Sequence, residues 1–183
     1  MPVTTDLGVD AKAIADARCQ TLIEAIDHIS PTHVIWLPSS TLKSVIDHVE
    51  KRAAGGAYLS FPITREEEGI GIAAGLHLGG AKPLLVIQDN GVGNALTALT
   101  TFPQAYHIPM LLIVSQRGGL NEYNSMIHTL TEHVDDIVAA ADLRHFKLDE
   151  QVPLERWSTS VVAAWEHAYM THRPVLVLCN LLY

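Results

Sequence analysis

The sequence predicts an α/β fold: a doubly wound, mostly parallel sheet with helices on both faces. Three observations carry this. Short β-rich runs alternate with longer helix-periodic segments about six times along the chain. The runs are apolar throughout, as expected of strands covered on both faces. Glycine and proline punctuate the joins.

The elements follow in order. Residues 10–29 place Ile14, Ala17, Leu22, Ile23, Ile26 and Ile29 at helical spacing, and Ser30-Pro31 stops that helix. His33 to Leu37 is a strand, ended by Pro38-Ser39-Ser40. Leu42 to Arg52 is a second helix, closed by Gly55-Gly56, and Ala57 to Phe61 a second strand. Thr64 as N-cap and Glu67 at the third helical position form a capping box that opens a helix running to Leu78. Pro83 to Ile87 is a strand, Asn94 to Tyr106 a helix and Pro109 to Val114 a strand. A polar loop, 116–128, precedes a short helix from Thr131 to Ala140. Arg144 to Leu148 is a strand, Val152-Pro153 begins a helix through Met170, and Pro174 to Leu178 is the last strand. No repeat, low-complexity tract or linker interrupts this, so residues 1–183 read as one domain. Ligands bind such sheets at the carboxyl ends of the strands, which directs attention to loops 38–41, 62–67, 88–94 and 115–128.

Composition excludes several classes. Twelve basic against twenty acidic residues give a net charge of -8, with no Lys/Arg cluster to follow a phosphate backbone, so nucleic acid is not an expected partner. The N-terminal MPVTTDLGVDAKAIAD lacks the basic and apolar regions of a secretory leader, and apolar runs of about six residues cannot span a bilayer. Cys19 and Cys179 read as reduced, largely buried thiols, and the expected location is cytoplasmic. The ten histidines form no zinc motif, so no metal ligands are assigned to this chain.

The candidate chemistry gathers in the stretch Arg65 to Asn94. Glu66, Glu67 and Glu68 suit a first helical turn by dipole alone. Consecutive helical residues point about 100° apart, however, so the three cannot share one role. Gly69, Gly71, Ala73, Ala74 and Gly75 weaken the helix but permit another backbone to approach closely. A carboxylate dried in such an interface would have its pKa raised, fitting it for proton exchange. The loop Gln88-Asp89-Asn90-Gly91-Val92-Gly93-Asn94 fails the dinucleotide fingerprint because Leu96 stands where the third glycine belongs. It reads either as an ordinary strand-to-helix turn or as a ligand-facing loop with open N–H groups. His128 lies in a long polar loop of the kind that carries function, and Arg117 is either an anion contact or a surface ion pair.

Three motifs then resemble one family: Leu37-Pro-Ser-Ser-Thr-Leu42, Arg65-Glu-Glu-Glu-Gly69 followed by Gly91-Val-Gly-Asn94, and Ser115-Gln-Arg-Gly118 with His128 downstream. Over residues 12–180 the chain resembles the pyrimidine-binding domain of thiamine-diphosphate-dependent decarboxylases, in particular the alpha subunit of sulfopyruvate decarboxylase and the matching half of phosphonopyruvate decarboxylase. It departs from that pattern at Asp89-Asn90, where the family shows Asn-Ser, and at Thr97, where it shows Asn. The resemblance implies that Glu67 hydrogen-bonds the cofactor's aminopyrimidine and is catalytic. It implies that Gln88, Asn90, Gly91 and Asn94 line the cofactor, and that Ser39, Ser40, Arg117 and His128 approach the substrate. The family holds the diphosphate through Mg²⁺ with a Gly-Asp-Gly motif, which this chain lacks. A beta-type partner subunit is therefore implied, in a hetero-oligomer with two or more copies of each chain, acting on a small 2-oxo acid. The expected substrate is 3-sulfopyruvate; phosphonopyruvate, another short 2-oxo acid and a non-catalytic structural role are the alternatives.

Overall fold

The computed structural model describes residues 11–119 and 122–182. The N-terminal stretch read for a leader and Asp10 at the predicted start of the first helix lie outside them. The strands are β1 (His33–Trp36), β2 (Leu59–Pro62), β3 (Pro83–Gln88), β4 (Met110–Gln116), β5 (Arg144–Leu148) and β6 (Pro174–Asn180). They form one sheet in the order β2-β1-β3-β4-β6-β5, with every pairing parallel. The helices are α1 (Ala11–Ile29), α2 (Lys43–Ala54), α3 (Glu66–Leu78), α4 (Asn90–Leu99), α5 (His128–Thr131), α6 (Val134–Ala140) and α7 (Trp157–Thr171).

The period-2 alternation of strand side chains divides the core into two layers. Val34, Trp36, Leu84, Val86, Leu111, Ile113, Val175 and Val177 face α1, α2 and α7. Ile35, Leu85, Ile87, Leu112, Val114, Leu176 and Leu178 face α3, α4 and α6. Strands β3, β4 and β6 are buried along their length apart from the terminal Gln88 and Gln116, which is why they read as apolar runs. Edge strands β2 and β5 are only partly covered, and Pro62 ends β2 at an edge where a missing donor is tolerated. Both cysteines are free and buried.

Several boundaries differ from the sequence reading. The helix expected over Thr131 to Ala140 is divided into α5 and α6 and begins at His128, and the helix expected from Val152-Pro153 begins at Trp157 after a 3-10 turn, Leu154–Arg156. Three further differences have a clear local reason. The helix expected from Asn94 starts at Asn90, because the Asp89 carboxylate caps it by accepting the Asn90 N–H at 2.8 Å. Its far end relaxes into a π-helical turn, Thr100–Gln104, where Pro103 removes a ladder donor. The capping box is displaced by one residue: Arg65 is the N-cap of α3, and Glu68, not Glu67, folds back onto Thr64. Among the described residues, no helix is long and apolar enough to cross a membrane.

Candidate active site

Because all strands run the same way, their carboxyl ends form one edge. The order reverses between β1 and β3, the point at which such sheets leave a crevice. The predicted residues lie along this edge in two clusters, one on each face.

The first cluster joins the starts of α3 and α4, and it separates the three glutamates. Glu66 is 4% exposed and its Oε2 accepts from Asn94 Nδ2 at 3.0 Å. It packs against Gly91 so closely that any Cβ there would overlap its carboxyl group. Glu68 is exposed and accepts from the Thr64 N–H and hydroxyl at 3.1 and 2.9 Å. Glu67 lies between these orientations, with its side chain 37% exposed. Its Oε1 accepts from Arg65 Nε at 2.6 Å, while Oε2 is out of solvent contact with no partner among the described residues. The Arg65 hydrogen bond holds the Glu67 carboxyl below its ordinary range. In the chain by itself, therefore, the raised pKa expected of a dried interface is reversed. Gly91 and Asn94, read as cofactor-lining residues, are here the seat and clasp of Glu66. Gln88 and Asn90 are half-buried at the end of β3 and the start of α4.

Asp89 does not face outward as an anion. It is fully buried, accepts the Arg117 N–H at 2.6 Å and the Asn90 N–H at 2.8 Å, and so ties the end of β3 to the end of β4. Burial pushes its carboxyl up to about 6, against the lowering effect of those two N–H groups.

The second cluster lies toward α1 and α2, around a cavity of about 740 Å³. Ser40, Thr41 and Arg117 line it, with Glu122 and Tyr123 from the loop after β4. Ser39 and Ser115 brace Thr41 through hydroxyl contacts of 3.0 and 2.9 Å. Arg117 donates from Nε and Nη2 to the two oxygens of Glu122 at 2.7 and 3.0 Å. Burial works to raise the Glu122 carboxyl, but the guanidinium and the Asn124 N–H outweigh it and hold it low. His128 opens α5, with Nε2 3.1 Å from the Glu122 carbonyl and Nδ1 3.0 Å from Glu132. Both acceptors favour the imidazolium, and its pKa is raised, first by the Glu122 carbonyl and then by the Glu132 carboxylate.

The edge thus brings Glu66, the neighbour of Glu67, together with Gly91 and Asn94, and Ser40 with Arg117. It does not bring Glu67 into the cavity lined by Ser40 and Arg117. Sequence reasoning missed Glu66 and Glu122. Helical angles said that the three acids would part, but not which one turns inward. The acid five residues after Arg117 was a legible ion-pair partner.

Over 150 residues the chain is 31% identical to the sulfopyruvate decarboxylase subunit alpha of Methanococcus maripaludis, covering 82% of this chain and 86% of that one. The chain belongs to the sulfopyruvate decarboxylase alpha-subunit family. Another family relative, the sulfopyruvate decarboxylase of Methanosarcina acetivorans, is 30% identical over 144 residues, 79% of this chain but only 35% of that longer protein. A phosphonopyruvate decarboxylase of Streptomyces viridochromogenes is a more distant match, 29% identical over 67% of this chain and 30% of that one. No family model matches the chain. The fold is shared with a 2-oxoglutarate:ferredoxin oxidoreductase from Magnetococcus marinus, at TM-score 0.65 and 16% identity, over 93% of this chain and 29% of that one.

Proposed function

We propose that this chain is the pyrimidine-binding subunit of a two-chain, thiamine-diphosphate-dependent decarboxylase in the cytoplasm. Its substrate is 3-sulfopyruvate, which is converted to sulfoacetaldehyde and carbon dioxide. The observation that carries this reading is the Glu67 carboxyl: one oxygen held by Arg65, the other sheltered at the carboxyl edge of the sheet with no partner among the described residues. A carboxyl oxygen away from water with no partner of its own fits a ring nitrogen, so Glu67 would hold the aminopyrimidine of the cofactor. When bound, thiamine diphosphate supplies the electron sink for the carbon from which carbon dioxide departs.

The work of this chain is positioning and proton custody. Glu66, clasped by Asn94 and seated on Gly91, fixes the rotation of α3 and so the direction of Glu67. Docking of a second chain would exclude water from Glu67 and loosen Arg65, both of which raise its pKa toward proton sharing. Ser40 offers a hydroxyl at the cavity for the second anion of the substrate, and Arg117 would offer its guanidinium there on release from Glu122. The chain contains no Gly-Asp-Gly, so the diphosphate and Mg²⁺ belong to a beta-type subunit, with two or more copies of each chain in the assembly. The longer Methanosarcina acetivorans relative, of which the matched segment is about a third, supports a site completed by further polypeptide. The phosphonopyruvate decarboxylase match supports a second reading, in which a phosphonate replaces the sulfonate.

Carbon dioxide release from 3-sulfopyruvate and phosphonopyruvate, with the chain alone and with its partner, tests this. Activity should require both chains and be greatest on 3-sulfopyruvate. Full activity of the lone chain would reject the split site. Glu67→Gln in the assembled pair should lower turnover about 10²–10⁴-fold, the usual contribution of a general acid–base. Near-normal turnover would reduce Glu67 to a helix-end charge and leave the chain a structural subunit.

A further inference from the structure

A second constellation lies at the opposite edge of the sheet, beneath the amino ends of β5 and β6. A cavity of about 470 Å³ opens there, walled by separate segments of the chain. β5 contributes Arg144 and His145, α7 contributes His167, and the residue before β6 is Arg173. Asp142, after α6, is the one acid on its wall, and Gln104 ends the π-helical turn.

Two features set this cavity apart from a solvated rim. First, in a chain of net charge -8, neither Arg144 nor Arg173 forms an ion pair among the described residues. Asp142, on the same wall, stays beyond ion-pair reach of both. Gathering two guanidinium groups without ion-pair partners among the described residues at one cavity creates a positive potential that favours an anion. The donors are also braced. Arg144 stacks on Phe146 with Cζ 4.8 Å from the ring centroid, and Phe146 meets His167 edge-on at 5.7 Å. His145 donates from Nδ1 to the Leu143 carbonyl at 3.0 Å, which fixes its ring. Second, Gln104 donates from Nε2 to the Ala141 and Asp142 carbonyls at 3.1 and 3.3 Å, while its Oε1 is buried with no partner among the described residues. A buried acceptor left unpaired is unfavourable and calls for a donor.

We propose that this cavity binds a small phosphorylated metabolite carrying a hydroxyl group. Arg144 and Arg173 take the phosphate through their planar N–H forks, the geometry best matched to a tetrahedral oxyanion. Gln104 Oε1 accepts from the hydroxyl. The site is separate from the Glu67 edge by the length of the strands, so a ligand there is distinct from the substrate.

The experiment is calorimetric titration of the full-length chain at fixed ionic strength, with inorganic phosphate and then glycerol phosphate as probes. Expected is saturable binding of both, tighter for glycerol phosphate, whose hydroxyls serve Gln104. R144Q/R173Q should weaken either probe about tenfold or more, equivalent to the loss of one charged hydrogen bond. K51Q/R156Q removes the same charge from exposed positions elsewhere and should leave the affinity unchanged. Should the first double variant fail to fold, Arg144→Gln alone, on an exposed side chain, carries the same comparison. Binding that does not saturate, or weakens equally in both double variants, overturns the proposal, because it reports charge alone. Loss of phosphate binding once the partner subunit is added also overturns it, since the cavity is then an interface. None of these outcomes depends on catalytic activity.

Discussion

Asp89 shows how one side chain departs from its expected role. An aspartate at that position would repel an anionic substrate if it faced outward. Instead it is turned inward, where two N–H groups hold it and burial raises its pKa from 3.8 to about 6. The folded chain then binds this proton more tightly than the unfolded chain does. Between pH about 4 and about 6 the native state holds more protons, so stability falls as pH rises through that window, by at most about 3 kcal/mol, and is level above it. Urea unfolding at pH 4.5 and 7 should show this slope in the natural chain and not in Asp89→Asn. Gly91 is a second residue decided by contact. A methyl group there meets the Glu66 carboxyl, so Gly91→Ala should lower stability by about 1–3 kcal/mol, as overpacking does. The same substitution made on Glu66→Ala should be milder, and a double-mutant cycle measures the coupling.

Helix α3 is unusual as an element. Its buried face carries Glu66, Gly69, Ile70, Ala73 and Ala74. Gly71 and Gly75 lie on the opposite face, where an added Cβ meets nothing within 4 Å. The close backbone approach read from these glycines is therefore absent within this chain at those two positions, and at Gly69 it is the side chains of Ile63 and Leu85, not a backbone, that crowd the site. Gly75→Ala should stabilise the lone chain by about 1 kcal/mol, the helix-propensity difference, in thermal unfolding. A helix that retains destabilising glycines on an open face is consistent with a backbone brought by another chain.

At the scale of the molecule, this open face belongs to the same helix as Glu67, whose Oε2 has no partner among the described residues. The proposed partner would cover it. Gly75→Trp should then leave the stability of the lone chain close to normal while preventing assembly, read by sedimentation of the mixed subunits and by loss of decarboxylation. Normal assembly of that variant would place the partner elsewhere. Parallel pairing throughout the sheet is what makes such a seam possible, because it sends every strand's carboxyl end, and every following loop, to the same edge.

The sheet was legible because strands buried on both faces must be apolar throughout, and each predicted strand lies within a residue or two of its observed position. Legible too was the family likeness of the motifs between Arg65 and Asn94. The fate of each polar side chain was not. Periodicity places Glu66, Glu67 and Glu68 on a helix, but it does not say which of them finds Asn94, which finds Arg65 and which returns to Thr64. The start of α4 at Asn90 was hidden for the same reason: Asn-Gly-Val-Gly-Asn is a poor helix by propensity, and it turns helical because the Asp89 cap and the packing of Glu66 on Gly91 hold it there. Burial pattern is a property of the chain, whereas hydrogen-bond partners distant in sequence exist only once the tertiary structure has brought them together.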